Sequence, residues 1–405
     1  MSSVTPSPAR FPQEVLEQPI VLRHKYFENK MVAHRCLTQA HTQLLQALRY
    51  PAGASLIFVV GPTGVGKTTL RSRIERQLIA DAQADPTTTP GHIPVIGMEI
   101  PSPETGNFSW KDYYTRALLA VDEPMLSDKI AYGVRGMHRD SQERLVIERN
   151  ITALDLRRVF EKCLLHRHPR AFLVDEAQHF KKMSSGRRLL DQMDHLKSLA
   201  NLTSTVHVFF GTYDLIGLMN LSAQLARRSV KIHLPRYCAD KPEDREEFKK
   251  VLRTFQRHLP LAEEPDLEGR CDYFYERSLG LIGLLKDWLT KALAAALEAN
   301  EPTLTEPRCE RHAHDRGTLE YVMEEIKKGE QALQRMEQGS GKLRKLLQID
   351  AASPPATGSG ETQEPGSPGT SPPPAVFKPR KSKGSRVGQR TPNRDRTGRE
   401  TPHAG

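Results

Sequence analysis

The sequence predicts an α/β fold: a parallel sheet flanked by helices, followed by a smaller helical domain. Three observations predict it. Short apolar runs of strand length recur at 56–60, 93–100, 171–174, 206–210 and 230–234, separated by stretches of helical character. The first run ends in a complete phosphate-binding loop, Gly61-Pro62-Thr63-Gly64-Val65-Gly66-Lys67-Thr68. Beyond Pro235 the pattern is helical to about Leu347.

Each element follows from its residues. Residues 1 to about 20 look irregular. The apolar spacing of Met31, Leu37, Leu44, Leu45 and Leu48 predicts helices leading into the first strand. The glycine-rich turn then opens into a helix over 67–82. A strand that stops at such a turn aims consecutive backbone N–H groups, and the positive end of the helix, at one point. A Pro/Thr-rich break at 85–90 precedes the second strand. Residues 107–121 form an amphipathic helix carrying Trp110, Tyr113, Tyr114, Leu118 and Leu119, and 154–166 a further one. Ala171-Phe172-Leu173-Val174 and Val206-His207-Val208-Phe209-Phe210 are buried strands, and 230–234 is a short last one. The predicted organisation is an irregular segment at 1–25, a nucleotide-binding core at 26–235 and a helical domain at 236–348. Within the last, the Glu/Lys-rich stretch 321–335 reads as one long solvated helix. Residues 349–405 are rich in Pro, Gly and Ser, with almost nothing to bury, and are expected to be disordered.

Composition narrows the setting. No apolar stretch approaches the ~20 residues needed to span a bilayer, and residues 1–13 lack a signal-peptide core. A soluble, cytoplasmic protein is expected. The five cysteines, Cys36, Cys163, Cys238, Cys271 and Cys309, contain no C-x-x-C pair, the usage of a reducing compartment. Of the net charge of +10, the last thirty residues supply +7, nine Lys/Arg against two Asp/Glu. Such a tail either attracts nucleic acid through counterion release or serves only to solubilise.

The phosphate loop predicts binding of a nucleoside triphosphate. Lys67 supplies a mobile charge for the outer phosphates, Thr68 a hydroxyl for Mg²⁺, and Thr69 continues the first helical turn. Hydrolysis needs two further groups: a carboxylate holding Mg²⁺ and a base orienting water. Asp175 and Glu176, at the end of the strand beginning at Ala171, supply both, Asp175 as the Mg²⁺ partner and Glu176 as the catalytic base. A strand lying between the loop and this acid pair would place Thr212 near the γ-phosphate. Arg227 and Arg228, just before the last strand, are candidates for a finger entering a neighbour's site, which makes the active unit an oligomer. Lys286, on the apolar helix beginning near Gly280, is a candidate nucleotide sensor reaching back to the loop. Cys309, His312 and His314 are close together, without an obvious fourth ligand for a metal.

Taken together, the loop, the Asp-Glu strand end, the polar strand end, the arginine pair and the helical lid resemble an AAA+ ATPase. The set narrows further. Asp175-Glu176-Ala177-Gln178-His179, Leu196-Lys197-Ser198-Leu199-Ala200-Asn201, Phe210-Gly211-Thr212-Tyr213-Asp214-Leu215 and Gln224-Leu225-Ala226-Arg227-Arg228 resemble the TnsC/TniB family of transposition regulators. The aromatic helix after Phe108, with Leu118-Leu119 and Pro124, is similar too. The resemblance covers about residues 30 to 300. It implies ATP and Mg²⁺ as ligands and oligomerisation on duplex DNA, as a ring or filament, when ATP is bound. It also implies linkage of a target-selector protein to a DDE-type transposase, and disassembly on hydrolysis. The family's duplex contacts put Lys111, Arg116, Arg135 and Arg139 forward as DNA-binding candidates. Two departures stand out: Lys286 occupies a position where many relatives of this ATPase class carry arginine, and the tail beyond Ala351 lies outside the resemblance. Other readings remain open at this level: a replication-initiator-like or defence-signalling AAA+ ATPase, or a nucleotide-gated protein scaffold.

Overall fold

The computed structural model describes residues 10–87, 89, 91–103, 107–121, 137–139, 145–147, 151–182, 187–219, 221–337, 344, 346 and 347. The chain divides into two units, Met1–Leu347 and Gln348–Gly405, and the second, with the expected disordered tail, lies outside the described residues.

A 3-10 turn at Gln13–Val15 leads to helices α1 (Ile20–Asn29) and α2 (Arg35–Arg49), so ordered structure begins earlier than the sequence suggests. Then come β1 (Leu56–Val60), α3 (Lys67–Ala84), β2 (Val95–Glu99) and α4 (Trp110–Ala120). The short antiparallel strands β3 (Met137–Arg139) and β4 (Leu145–Ile147) have no forewarning in the sequence reading. There follow α5 (Ala153–Arg167), β5 (Ala171–Asp175), a 3-10 segment at Ala177–Lys182, and α6 (Arg187–Thr203). β6 (Val206–Gly211), α7 (Leu215–Met219), α8 (Ala223–Arg227) and β7 (Ser229–His233) complete the core. Five helices end the described chain: α9 (Pro242–His258), α10 (Cys271–Ser278), α11 (Ile282–Glu298), α12 (Glu306–His312) and α13 (Arg316–Glu337).

The five-stranded sheet is parallel throughout, in the order β2-β5-β6-β1-β7. Every residue of the three inner strands is buried, which is why they read as unbroken apolar runs. Alternation sorts their side chains onto the two faces. Ile57, Val59, Leu173, Val208 and Phe210 pack with α2, α3 and the C-terminal helices, while Leu56, Phe58, Val60, Phe172, Val174 and Phe209 pack under α4, α5 and α6. The outer strand β7 is only half-buried and carries Lys231 and His233. Thr152 and Asp155 close a reciprocal capping box that starts α5.

Helix α11 buries a broad apolar face and leaves Asp287, Lys291 and Glu298 exposed. Ile282, Leu285, Trp288, Leu289, Ala292, Leu293, Ala296 and Leu297 all turn inward, and the Trp288 indole N–H donates to the Cys309 carbonyl at 2.7 Å. Cys309 is thus a core residue of α12, and burial pushes its thiol up to about 11. Helix α13 corrects the expectation of a purely solvated helix. Leu319, Ile326 and Leu333, seven residues apart, form a buried stripe, with Ile326 in one core cluster and Leu333 in the other. Seven-residue spacing keeps one face turned inward over about four helical turns, and the many Glu and Lys residues between hid it.

His207 lies in the middle of the sheet, fully buried between Phe172 and Phe209, with neither ring nitrogen hydrogen-bonded. Burial depresses it to about 3, and burial likewise depresses His34, bonded to the Tyr237 hydroxyl, to about 4. A base whose folded pKa lies below its unfolded value of about 6.5 stabilises the fold least at low pH, because the unfolded chain takes up the proton first. Thermal stability is therefore expected to be highest above about pH 6.5 and to fall from there toward pH 4. His207→Leu should flatten that decline and, by removing two orphan nitrogens, raise stability at pH 7 by about 1–3 kcal/mol. Denaturant titrations of both forms at pH 7 and pH 5 check this; parallel losses on acidification would remove His207 from the account.

Candidate functional site

The parallel sheet brings the C-terminal ends of β1, β6 and β5 side by side, and the polar residues that terminate these strands meet there. At the end of β1 the chain enters the phosphate loop. Gly66, the residue before α3, sits at φ 104, a left-handed conformation that a side chain would oppose. Lys67 follows, only 7% exposed, its Nζ donating to the carbonyls of Gly61 at 3.1 Å and Pro62 at 2.9 Å. Burial lowers its pKa, offset by the negative charges of Glu176, Asp175 and Glu325. Pro62 and Val65 are buried, whereas the Thr63 and Thr68 side chains are exposed and Thr69 is half-buried.

Asp175, the last residue of β5, is 1% exposed. Its Oδ1 accepts the Glu176 backbone N–H at 3.0 Å, and its Oδ2 lies 3.3 Å from Nε of Arg71. Arg71 stands one helical turn after Lys67 on α3 and also pairs with Glu75 at 3.4 Å. Arg71, absent from the residues singled out in the sequence, stands four residues after the loop lysine on the same helix face. Glu176 is half-buried at φ 53, and Gln178 donates to its Oε2. Thr212 follows β6, half-buried, with its backbone N–H donating to Gln178 Oε1 at 3.3 Å. β6 indeed separates β1 from β5, as the expected role of Thr212 requires.

Arg227 and Arg228 are exposed at the start of β7, the opposite end of the sheet from the loop. One five-residue strand, about 16 Å, separates them from the edge where Gly61 and Thr212 lie, so neither reaches the phosphate loop of its own chain. Lys286 is bound elsewhere: its Nζ donates to the Glu28 carbonyl of α1 at 2.7 Å. Its helix nevertheless reaches the loop by its backbone. The N–H groups of Gly283 and Leu284 donate to the Gly64 carbonyl at 2.8 and 3.3 Å. The end of α13 closes the same edge. Gly329 packs directly on the Tyr213 ring, and Glu330 forms an ion pair with Arg236 at 3.0 Å. Of the DNA candidates, Lys111 and Arg116 lie on α4. Arg116 pairs with Asp112 at 2.9 Å beside a cavity of about 270 Å³ at the end of β2. Arg135 lies outside the described residues, as does the side chain of Arg139 in β3.

Residues 50–219 match the family model described as an AAA domain. The fold is that of an AAA+ P-loop NTPase. Among solved structures, the chain is similar to the ORC2 protein of Aeropyrum pernix in its ADPNP–ADP complexes, at 16% identity and TM-score 0.48, over 71% of this chain and 70% of that one. It is similar to a Walker-type ATPase of Pyrococcus abyssi at 14% identity and TM-score 0.45, over 82% and 89%. Domain III of the replication initiation protein DnaA from Thermotoga maritima is similar at 16% identity and TM-score 0.39, over 71% and 95%. None of the curated proteins compared with the chain matches it. Among the described residues, no helix is long and apolar enough to cross a membrane.

A Cβ on Gly283 would lie 2.5 Å from the Gly64 carbonyl oxygen, backbone against backbone, whereas one on Gly217 meets nothing within 4 Å. Gly283→Ala is therefore expected to cost about 1–3 kcal/mol and to displace α11 from the loop, while Gly217→Ala is neutral or slightly stabilising. Chemical denaturation of the two variants separates these outcomes; equal stability would mean the contact at Gly64 is freely yielding.

Proposed function

We propose that this chain is an Mg²⁺-dependent ATPase whose nucleotide state governs its assembly on duplex DNA. The observation that carries the proposal is the meeting of Lys67, Asp175, Glu176 and Thr212 at one edge of three adjacent parallel strands. The residues present fit both ligands. Loop N–H groups, the start of α3 and the buried ammonium of Lys67 form a cradle for phosphate oxygens. Thr68 and Asp175 offer the hard oxygen donors that Mg²⁺ prefers, each Asp175 oxygen retaining an acceptor site beyond its present partner. The ion, when bound, neutralises charge on the β- and γ-phosphates.

In the proposed reaction, Lys67 and the loop hold the phosphates while Glu176 accepts a proton from the attacking water. The new bond joins water oxygen to the γ-phosphorus, and the bond to the β–γ bridging oxygen breaks, leaving ADP and phosphate. Thr212 contacts the terminal phosphate. Arg227 or Arg228 enters the site of a neighbouring subunit, a role supported by their exposure and their distance from their own loop. Helices α9 to α13 act as a lid, with Lys286 tying it to α1.

The biological setting we infer, on the sequence resemblance to the TnsC/TniB family, is regulation of DNA transposition. The ATP-bound form oligomerises on duplex DNA and links a target-selector protein to a DDE-type transposase, and hydrolysis releases the assembly. Lys111, Arg116, Arg135 and Arg139 are the proposed DNA contacts, Arg116 being held by its ion pair to Asp112.

Lys67→Ala should abolish binding of ATP, read by calorimetry. Glu176→Gln should bind it normally yet turn over about 100-fold more slowly or less, trapping the assembled form. Turnover by Glu176→Gln at the native rate would displace Glu176 as base. For the DNA role, duplex binding is compared with a triphosphate analogue and with ADP, using the full chain and a form ending at Gln348. Length-dependent binding by the shortened form with the analogue alone is expected. Binding that disappears with the basic tail, or ignores the nucleotide, would reduce DNA association to tail electrostatics.

A further inference from the structure

Gln178 stands between two of the groups used above. Its Oε1 accepts the Thr212 backbone N–H at 3.3 Å, and its Nε2 donates to Oε2 of Glu176. An N–H can only donate and an ionised carboxylate only accept, so both contacts demand the same orientation of the amide. The bond to the carboxylate is charge-assisted and correspondingly strong. Two backbone features make room for this arrangement. Glu176 at φ 53 turns the chain sharply as it leaves β5, and the His179 N–H donates to the Glu176 carbonyl at 3.1 Å to close the turn. Opposite, at the end of β6, Gly211 has no side chain. A Cβ there would lie 2.6 Å from Gln178 Oε1 and 3.1 Å from its backbone nitrogen.

We propose that Gln178 is a positioning residue that fixes the rotamer of the Glu176 carboxylate and couples it to the main chain at Thr212. With Oε2 committed to Gln178, Oε1 is the oxygen presented to water. The linkage passes from strand end to strand end, β6 to β5, through one amide. A movement of the Thr212 backbone on contact with a terminal phosphate shifts the Gln178 carbonyl oxygen, and through the same rigid amide its nitrogen and the base. Hydrolytic competence is thereby tied to occupation of the phosphate end of the site. The inference rests on the hydrolytic role proposed for Glu176.

The test uses the full chain and three variants. Gln178→Met keeps approximate volume but neither hydrogen bond. It should leave KM and the affinity for a non-hydrolysable ATP analogue within about twofold while kcat falls about tenfold or more, because the base is no longer oriented. Gln178→Glu retains an acceptor for the Thr212 N–H but sets a second carboxylate against Glu176. It removes the N–H that holds Glu176 and adds like-charge repulsion, so kcat should fall at least as far as in Gln178→Met. Gly211→Ala, which pushes the amide away, should reproduce the kcat-only loss of Gln178→Met. An unchanged kcat in these variants would overturn the inference. So would a rise in kcat, which would make Gln178 a restraint on the base, or a loss confined to KM. Glu176→Gln run alongside separates the levels: if it abolishes turnover while the Gln178 variants are normal, only the coupling fails. If it hydrolyses normally, the assignment of the base itself fails.

Discussion

The contact on which the architecture turns is between two glycines. The Gly64 carbonyl, at the crown of the phosphate loop, accepts the first free N–H groups of α11, those of Gly283 and Leu284. A helix start leaves four N–H groups without an intrahelical partner, and here the loop itself caps two of them. Because α11 buries a broad apolar face around Trp288, it cannot slide independently of α10 and α12. The loop's conformation and the placement of the C-terminal helices are consequently one variable. A second tie, Gly329 on Tyr213 with Arg236 bridging to Glu330, fastens α13 to the residue after Thr212. The helices therefore touch the core at the crown of the loop and just past the end of β6, the two places where a phosphate would be met.

The sheet explains why the chemistry gathers where it does. Inner strands buried on both faces accept no charged side chain along their length, so the first polar residues appear where each strand ends. Asp175, Thr212 and the loop glycines are those residues, and parallel pairing aligns their ends at one edge. His207, the second residue of β6, is the exception, held neutral by burial alone.

That logic made much of the protein legible in the sequence. Unbroken apolar runs announced β1, β5 and β6, the glycine pattern announced the loop, and the acids after Val174 announced a strand end. What stayed hidden depends on contacts between segments distant in the chain. Nothing local says that Arg71 meets Asp175, that Gln178 reaches both Glu176 and Thr212, or that α11 docks by its backbone at Gly64. The β3–β4 pair was missed because three-residue strands carry too little periodicity to stand out. Helix α13 was misjudged because three apolar residues, one every seventh position, are outnumbered by Glu and Lys although they decide how it packs.

The disposition of the cations bears on how such a site could work. Arg71 is committed to Asp175, Lys286 to the Glu28 carbonyl and Arg236 to Glu330, each held in place by an oxygen partner. Among the described residues, Lys67 is the cation directed into the loop, and Glu176, Asp175 and Glu325 all act on it. Phosphoryl transfer spreads negative charge over the equatorial oxygens of the γ-phosphate, and a second cation there is worth several orders of magnitude in rate. On the hydrolytic proposal, a lone chain with this arrangement binds a triphosphate well and turns it over slowly. On the same proposal, the exposed Arg227 and Arg228, a strand's length from their own loop, would supply such a charge to another copy. Slow turnover when isolated and faster turnover when assembled would then follow from where two arginines sit on the sheet.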